Sequence, residues 1–401
     1  MPGKWGYQDL DSKVISKGLC TACGTCVGVC ATKVIAIDYT HQEAEPKLIG
    51  QCKACSMCYN VCPGKDVPLK DMDETFLGRA RNFITDDIGV FKNCYKGWAK
   101  DDYVRNASSS GGMVSALLMH ALENDMIDGA LLVGWDPEKP YRCKPIIAKT
   151  PQDVTNACRW TAEAVPVNEL LHKAVMEDKL KRLAVVGLPC QIHGIRKLQM
   201  SGAPAKIAKA IKFSIGLFCA ATYYVEGVKH LIHEFSDVRS LEDIETMDYR
   251  GGAAPGSLMV STKDKRIRSV ASKHDYTWHF LGAATFKRDR CIMCIDFAAE
   301  LADVSCGDIF QPVIPGRKHV VATVTRTDIG EELVKGATAK GYIKCSPHDP
   351  SMIPCSGMGW ESKKHAGMYR LMERKRFGWP TPNYQYPLGQ NAKNRKLTFP
   401  S

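Results

Sequence analysis

Cysteine carries most of the chemistry this sequence can do. Cys20-x-x-Cys23-x-x-Cys26-x-x-x-Cys30 is followed by Cys52-x-x-Cys55-x-x-Cys58-x-x-x-Cys62-Pro63, so one spacing is used twice. Thiolates at this spacing hold cubane iron–sulfur clusters, and in two-run modules the fourth cysteine of each run ligates the cluster of the other run. The spacing therefore predicts two [4Fe-4S] clusters. One would sit on Cys20, Cys23, Cys26 and Cys62, the other on Cys52, Cys55, Cys58 and Cys30. Zinc sites and a disulfide scaffold are the alternatives, but zinc modules set two close cysteine couples across a long gap. Ala22, Gly24, Gly28, Ala54 and Ser56 stand among the ligands, and small residues there let backbone N–H groups approach cluster sulfur.

Four further cysteines lie downstream. Cys190 follows Gly187-Leu188-Pro189 at the predicted start of a helix, where a thiol's pKa falls and the thiolate becomes a ligand or nucleophile. Cys219 closes an apolar run, and Cys291-x-x-Cys294-x-Asp296 forms a pair of another kind. If these four thiolates converge, they can hold a third cluster; for the pair alone, zinc, redox chemistry and chance spacing stay open. His193 reads as a packed helix residue rather than a ligand. A different chemistry is offered by Asn106-Ala107-Ser108-Ser109-Ser110-Gly111-Gly112, which runs into MVSALLMHALEND. Free N–H groups and the positive end of a helix suit an anion such as a nucleotide phosphate. A plain helix cap explains the same residues.

These groups need elements to position them. Val34–Asp38 reads as a short strand, with 41–49 as the other arm of a hairpin. Residues 67–100 read as a connector with one short helix. Met113, Ala116, Leu117, His120 and Leu122 fall at helical spacing. Ala130–Gly134, Arg182–Gly187 and Lys212–Cys219 read as buried strands, and strands alternate with helices from Ala130 to Val238, as in an α/β core. Cys190 and Cys219 then fall at carboxyl ends of strands, where such sheets bind ligands. Asp248–Gly256 is expected to be a turn-rich loop leading into a strand at Leu258-Met259-Val260. From Ser356 the chain is rich in Lys363, Lys364, Arg370, Arg374, Lys375, Arg376, Lys393, Arg395 and Lys396 against Glu361 and Glu373. It reads as an extended tail lying on the surface or on a partner subunit.

The predicted class is α+β to α/β. A small ferredoxin-like two-cluster module (1–66) and a connector (67–100) precede an α/β domain with a mixed sheet (101–355) and a basic extended C-terminal tail (356–401). The 401 residues, 45% hydrophobic and 24% charged, suit such a build. The polar start and the lack of an apolar run of about 18 residues indicate neither a signal peptide nor a membrane span. Eighteen cysteines used as thiolates need a reducing compartment, so a cytoplasmic location is expected. The net charge of +11 suits an acidic partner or polyanionic substrate, while no interleaved basic and aromatic motif points to nucleic acid.

Ser109-Ser110-Gly111-Gly112, Gly187-Leu188-Pro189-Cys190-Gln191, Gly216-Leu217-Phe218-Cys219, and Cys291-x-x-Cys294-x-Asp296 with Ala302-Asp303-Val304-Ser305-x-Gly307-Asp308 together resemble the coenzyme F420 hydrogenase/dehydrogenase beta-subunit family. The resemblance spans roughly 80–350, with the two-cluster module fused in front. It implies that the α/β domain binds FAD beside a [4Fe-4S] cluster, three clusters in all. Cys190, Cys219, Cys291 and Cys294 would then hold the third cluster. Ser109, Ser110, Gly111 and Gly112 would neighbour FAD, with Arg250 and Gly251 as further candidates. Some members carry a cysteine in the Gly-Gly motif, and Ser110 puts this chain with the serine-bearing branch.

The implied activity is an iron–sulfur flavoprotein oxidoreductase with coenzyme F420 as substrate. Reduced F420 gives up a hydride, clusters carry single electrons, and a flavin connects the two regimes. No acid–base side chain is required, so no catalytic residue is assigned. The implied partner is a redox subunit resembling heterodisulfide reductase, hydrogenase, formate dehydrogenase or sulfite reductase. Related alternatives are a ferredoxin-dependent flavin reductase of another substrate, as in chlorophyll-pathway reductases, and a purely electron-transferring subunit.

Overall fold

The computed structural model describes residues 5–40, 43–83, 85–159, 161–252, 256–277, 284–309, 320–354 and 358–385. The N-terminal hairpin forms where alternation predicts it. Strands β1 (Ile35–Asp38) and β2 (Glu45–Leu48) pair antiparallel, Ile35 opposite Leu48. The two cysteine runs repeat in conformation as well as in spacing. Ala22 and Ala54 adopt positive φ (52° and 49°), as do Gly24 and Ser56 (81° and 65°), and each pair leads into a one-turn helix, Thr25–Gly28 and Met57–Asn60. These left-handed positions turn backbone N–H groups toward sulfur. The amides of Ala22 and Ala54 lie 3.4 Å from Cys20 Sγ and Cys52 Sγ.

The main sheet has eight strands. β3 (Asn93–Ala99), β4 (Gly129–Trp135), β5 (Cys143–Ala148), β6 (Leu183–Gly187), β7 (Ile211–Leu217), β11 (Val304–Asp308), β12 (Val321–Thr325) and β13 (Ile343–Pro347) lie in the order β13-β3-β12-β11-β7-β6-β4-β5. The inner four, β11-β7-β6-β4, are parallel, and antiparallel strands close both sides. Every residue of β6 is buried, as expected of a strand covered on both faces. A separate antiparallel sheet of β8 (Ile244–Gly251), β9 (Ser257–Thr262) and β10 (Ile267–Ser272) packs with the helix Val225–Phe235.

Several expectations are corrected. The connector assigned to 67–100 contains β3, which sits inside the main sheet between β13 and β12. Its pattern Asn93-Cys94-Tyr95-Lys96-Gly97-Trp98-Ala99 mixes polar and apolar residues, so periodicity conceals a strand whose two neighbours arrive over two hundred residues later. Asp248–Gly251 is strand rather than loop, and 253–255 lie outside the described residues. The tail is not extended over 358–376. It forms two helices, Met358–Lys364 and Ala366–Arg376, whose Met368 and Leu371 join a buried cluster. Tyr386, Lys393, Arg395 and Lys396 lie outside the described residues.

That cluster also revises the domain plan. It unites Leu10, Val14 and Met72 with Ile192, Met293, Leu301, Met368 and Tyr384, so the cysteine module shares one core with the sheet domain and the C-terminal helices. Burial is the dominant favourable term in folding, and this cluster draws on all three segments. Among the described residues no helix is long and apolar enough to cross a membrane.

Candidate functional site

One helix, Pro189–Ser201, organises the cysteines. Pro189 occupies its first turn, where a missing N–H costs nothing, and Gln191 Oε1 accepts from Leu188 N at 2.7 Å. Cys190, His193, Gly194 and Lys197 are spaced i, i+3, i+4, i+7 and share a face. His193 Nε2 meets Asp296 Oδ2 at 2.9 Å, tying the helix to the Cys291–Cys294 loop. At Gly194 a Cβ would stand 2.2 Å from Thr25 Oγ1, so the first cysteine run presses on the bare helix backbone. Lys197 Nζ donates to the carbonyl of Cys62 at 2.7 Å and pairs with Asp66. His193 is a packed residue, as expected, with a specific partner.

The cysteines fall into three groups. Cys20, Cys23, Cys26 and Cys62 line one cavity walled by Leu10, Val14 and Ile37. Burial pushes the Cys20 thiol up to about 12 and Cys62 to about 11, and Cys62 and Cys23 respectively add to the rise. Burial likewise pushes Cys58 up to about 12, with Cys55, Cys52 and Cys30 adding to it. Each predicted crossover, Cys62 into the first run and Cys30 into the second, is thus brought to its group. Cys55 is exposed, whereas Cys23, Cys26 and Cys62 are buried. Cys190 forms the third group: burial raises its thiol, and Cys219, Cys23, Cys294 and Cys291 raise it further. Among the described residues no group of three or more His, Cys, Asp or Glu side chains is placed to hold a single metal ion. A cubane cluster asks for a different arrangement, four cysteines spread over its corners.

Buried thiols of this kind are neutral unless positive charge meets them, and bound iron would supply that charge. Cys291 differs. Burial raises its thiol, but Lys363, Arg288 and hydrogen bonds from Thr222 outweigh burial and hold it below its ordinary value. Thr222 N and Oγ1 lie 3.4 and 3.3 Å from Cys291 Sγ. Arg288 and Arg290, just before the pair, reach back to the first run: Arg288 Nη1 donates to Thr21 O at 3.3 Å and Arg290 Nε to Leu19 O at 3.1 Å. The third group therefore abuts the first. Lys363, Arg288 and Arg290 escaped notice as site residues because nothing in their spacing marks them, although Arg288 and Arg290 flank the noticed cysteines; Asp296 is marked only as part of the Cys291-x-x-Cys294-x-Asp296 motif.

The serine–glycine loop stands at the same sheet edge. Ala99 N, at the end of β3, donates to Gly111 O at 2.7 Å, and Gly112 opens the helix Met113–Glu123 with φ 73°. Residue 112 must be small as well as left-handed, because a Cβ would stand 2.9 Å from that of Ala99. Ser110 donates to Asp308 at the end of β11, and Arg250 Nη1 donates to Asp308 Oδ2 at 2.7 Å and to Ser110 Oγ at 3.2 Å. Lys273 Nζ lies 3.2 Å from the same carboxylate. Two cations thus share Asp308, and Arg250 Nε and Nη2 are buried without a partner. A buried guanidinium with unused donors fits an anion, and a dinucleotide phosphate is one. Ser109 belongs to this loop and is half-buried. Gly251 does not join it; a Cβ there would meet Met259 Cγ at 2.5 Å, so its smallness serves the β8–β9 contact. Leu217, the last residue of β7, pairs in register with Cys306 of β11; beyond it Cys219 N donates to Phe297 O at 2.9 Å, so Cys219 follows the carboxyl end of β7 and Asp308 ends the neighbouring β11.

This is an α/β sheet with its polar and thiol groups gathered at the carboxyl edge of its parallel strands, as in ligand-binding α/β proteins. The N-terminal domain model of the coenzyme F420 hydrogenase/dehydrogenase beta subunit matches residues 94–172, and the C-terminal model matches 180–351. The chain belongs to that family. It is 27% identical over 298 residues to the coenzyme F420 hydrogenase subunit beta of Methanococcus voltae, covering 74% of this chain and 99% of that one. It is 29% identical to the coenzyme F420-dependent sulfite reductase of Methanocaldococcus jannaschii, over 83% of this chain and 48% of that protein. In fold it resembles a chain of the F420-reducing [NiFe] hydrogenase complex from Methanosarcina barkeri, with a TM-score of 0.61, 22% identity, and coverage of 74% of this chain and 97% of that one.

Proposed function

We propose that this chain is a redox subunit that exchanges a hydride with coenzyme F420 at a bound FAD and passes single electrons between that site and a partner through three [4Fe-4S] clusters. The observation that carries the reading is the meeting, at one sheet edge, of a buried Arg250 with unused donors and the group Cys190, Cys219, Cys291 and Cys294, itself backed onto the first ferredoxin-like group. FAD, when bound, converts two-electron hydride chemistry into single-electron transfer. The chain's own residues hold its anion: Arg250, Lys273 and the amides after Ser108 supply positive charge, and Ser110 and Asp308 orient the guanidinium. Phe218 and Phe297, ring centroids 5.3 Å apart, pack an apolar surface beside Cys219, whose N–H donates to Phe297 O at 2.9 Å.

The order of the groups gives the route. The third group lies against the first through Thr21, and the second ends at the exposed Cys55. With clusters held by the three cysteine groups, that adjacency would let single electrons pass between the flavin site and a partner docked where Cys55 reaches the surface. Relatives named as subunits of F420 hydrogenase and of F(420)H(2) dehydrogenase support a partner of that chemical class. The test is anaerobic mixing of the reconstituted protein with reduced F420. Bleaching of the flavin followed by reduction of the clusters is expected. Bleaching by another hydride donor but not by reduced F420 would remove F420 from the reading.

A further inference from the structure

We infer that Lys363 is the buried counter-charge that raises the reduction potential of the cluster on Cys190, Cys219, Cys291 and Cys294. The inference rests on the reading of those four cysteines as a cluster site. Lys363 lies on the helix Met358–Lys364, in the stretch whose composition alone suggests a solvated basic tail, yet it is 2% exposed. Its ammonium donates to the carbonyl of Cys291 at 2.9 Å. The two C-terminal helices clamp the whole cysteine loop. Arg370 Nε donates to Ile292 O at 2.8 Å, and a Cβ at Gly367 would stand 2.9 Å from Cys294 O. At Gly359 a Cβ would stand 2.8 Å from the ring of Phe297.

A lysine shut in by such packing needs negative charge nearby. Other cations stand close by: Lys364 pairs with Glu300 and Arg288 with Glu43, Arg290 hydrogen-bonds Leu19 O and Tyr384, Arg370 donates to backbone carbonyls, and Lys287 lies near Lys363. The ammonium of Lys363 is directed at the loop of Cys291 and Cys294, where the Cys291 carbonyl takes its hydrogen bond. A thiolate-bound cluster is net negative, and gaining an electron makes it more so. A fixed positive charge at short range in a low-dielectric setting favours the reduced state, and cluster charge and solvent exclusion are recognised determinants of potential. Lys363 tunes the one-electron couple without touching the hydride donor. It makes the third cluster the easier one to reduce, next to the flavin site.

The test is a potentiometric titration of the reconstituted full chain, followed by electron paramagnetic resonance, with iron and acid-labile sulfide measured on each preparation. Lys363→Gln is expected to shift one cluster's reduced-to-oxidised ratio about tenfold toward oxidised at fixed potential, ~59 mV for one electron, while the other two stay put. Lys363→Arg, which keeps the charge, is expected to restore the wild-type value. Should Lys363→Gln lose that cluster while Lys363→Arg keeps it, the same charge requirement is read through occupancy. An unshifted potential in a fully loaded Lys363→Gln, an equal shift in both variants, or loss of the cluster from both overturns the inference. Wild-type protein that carries only two clusters overturns the cluster reading itself, which separates the two failures.

Discussion

The two N-terminal cysteine groups and the third group hold the same ligand type in opposite ways. The first two come from runs of eleven residues that repeat in spacing and in left-handed turns at Ala22, Gly24, Ala54 and Ser56. In the proposed reading each takes one cysteine from the other run, so the two would stand or fall as a local pair. The third is gathered from a helix start, a strand end and a loop, with a lysine from near the C-terminus over it. Local repeats make a module that can be moved between proteins. A site assembled from distant segments depends on the sheet that aligns them.

The largest expected effect separates the two. Cys219→Ala should remove roughly a third of the cluster iron, leave the N-terminal clusters in place, and stop their reduction by reduced F420 while flavin bleaching persists. Iron analysis and stopped-flow absorbance check this; unimpaired cluster reduction would dissolve the distinction in route. Next, Arg250→Ala should weaken flavin retention by about tenfold to a hundredfold, the loss of charge-assisted hydrogen bonds of about 1.5–3 kcal/mol, with cluster content unchanged. Flavin released on gel filtration measures it.

A third variant probes how firmly the module is joined to the sheet domain. Gly194→Ala drives a methyl group against Thr25 Oγ1, and overpacking of this kind costs about 1–3 kcal/mol. The melting temperature should fall, and the first cysteine run should become more accessible to alkylation; a module that merely hangs from the chain would show neither. The smallest effect lies far from both groups. Burial raises the Glu331 carboxyl, but the hydrogen bonds it accepts from Thr325 and Tyr95 outweigh burial and hold it down to about 2, below its ordinary value. A carboxyl with a depressed folded pKa adds stability above its unfolded value, near 4.5, and loses it as pH falls toward 2. Glu331→Gln should flatten that acid limb by about 1–2 kcal/mol in denaturant melts between these pH values.

The first two groups were legible because their ligands are close in sequence, and the crossover of Cys30 and Cys62 follows from the spacing. The carboxyl-edge positions of Cys190 and Cys219 were legible from the alternation of apolar runs with helices. β3 was not, since its mixed polarity matches neither period and its identity as a central strand comes from β12 and β13. The burial of Lys363 was hidden for a related reason. Residues 356–376 are rich in Lys and Arg, and composition cannot distinguish a charge facing water from one facing four thiols.

The sequence by itself determined which residues bear the chemistry, because ligand type and spacing are properties of the chain. Only the tertiary structure decided which of them meet. It set the Ser110–Arg250–Asp308 cradle and Cys219 at the carboxyl ends of neighbouring parallel strands, set Cys190, His193, Gly194 and Lys197 on one helix face against three different segments, and folded a basic C-terminal stretch over the third group. The physical reason is that burial and hydrogen bonding act between elements far apart along the chain. A charge or a thiol acquires its role from what is packed against it.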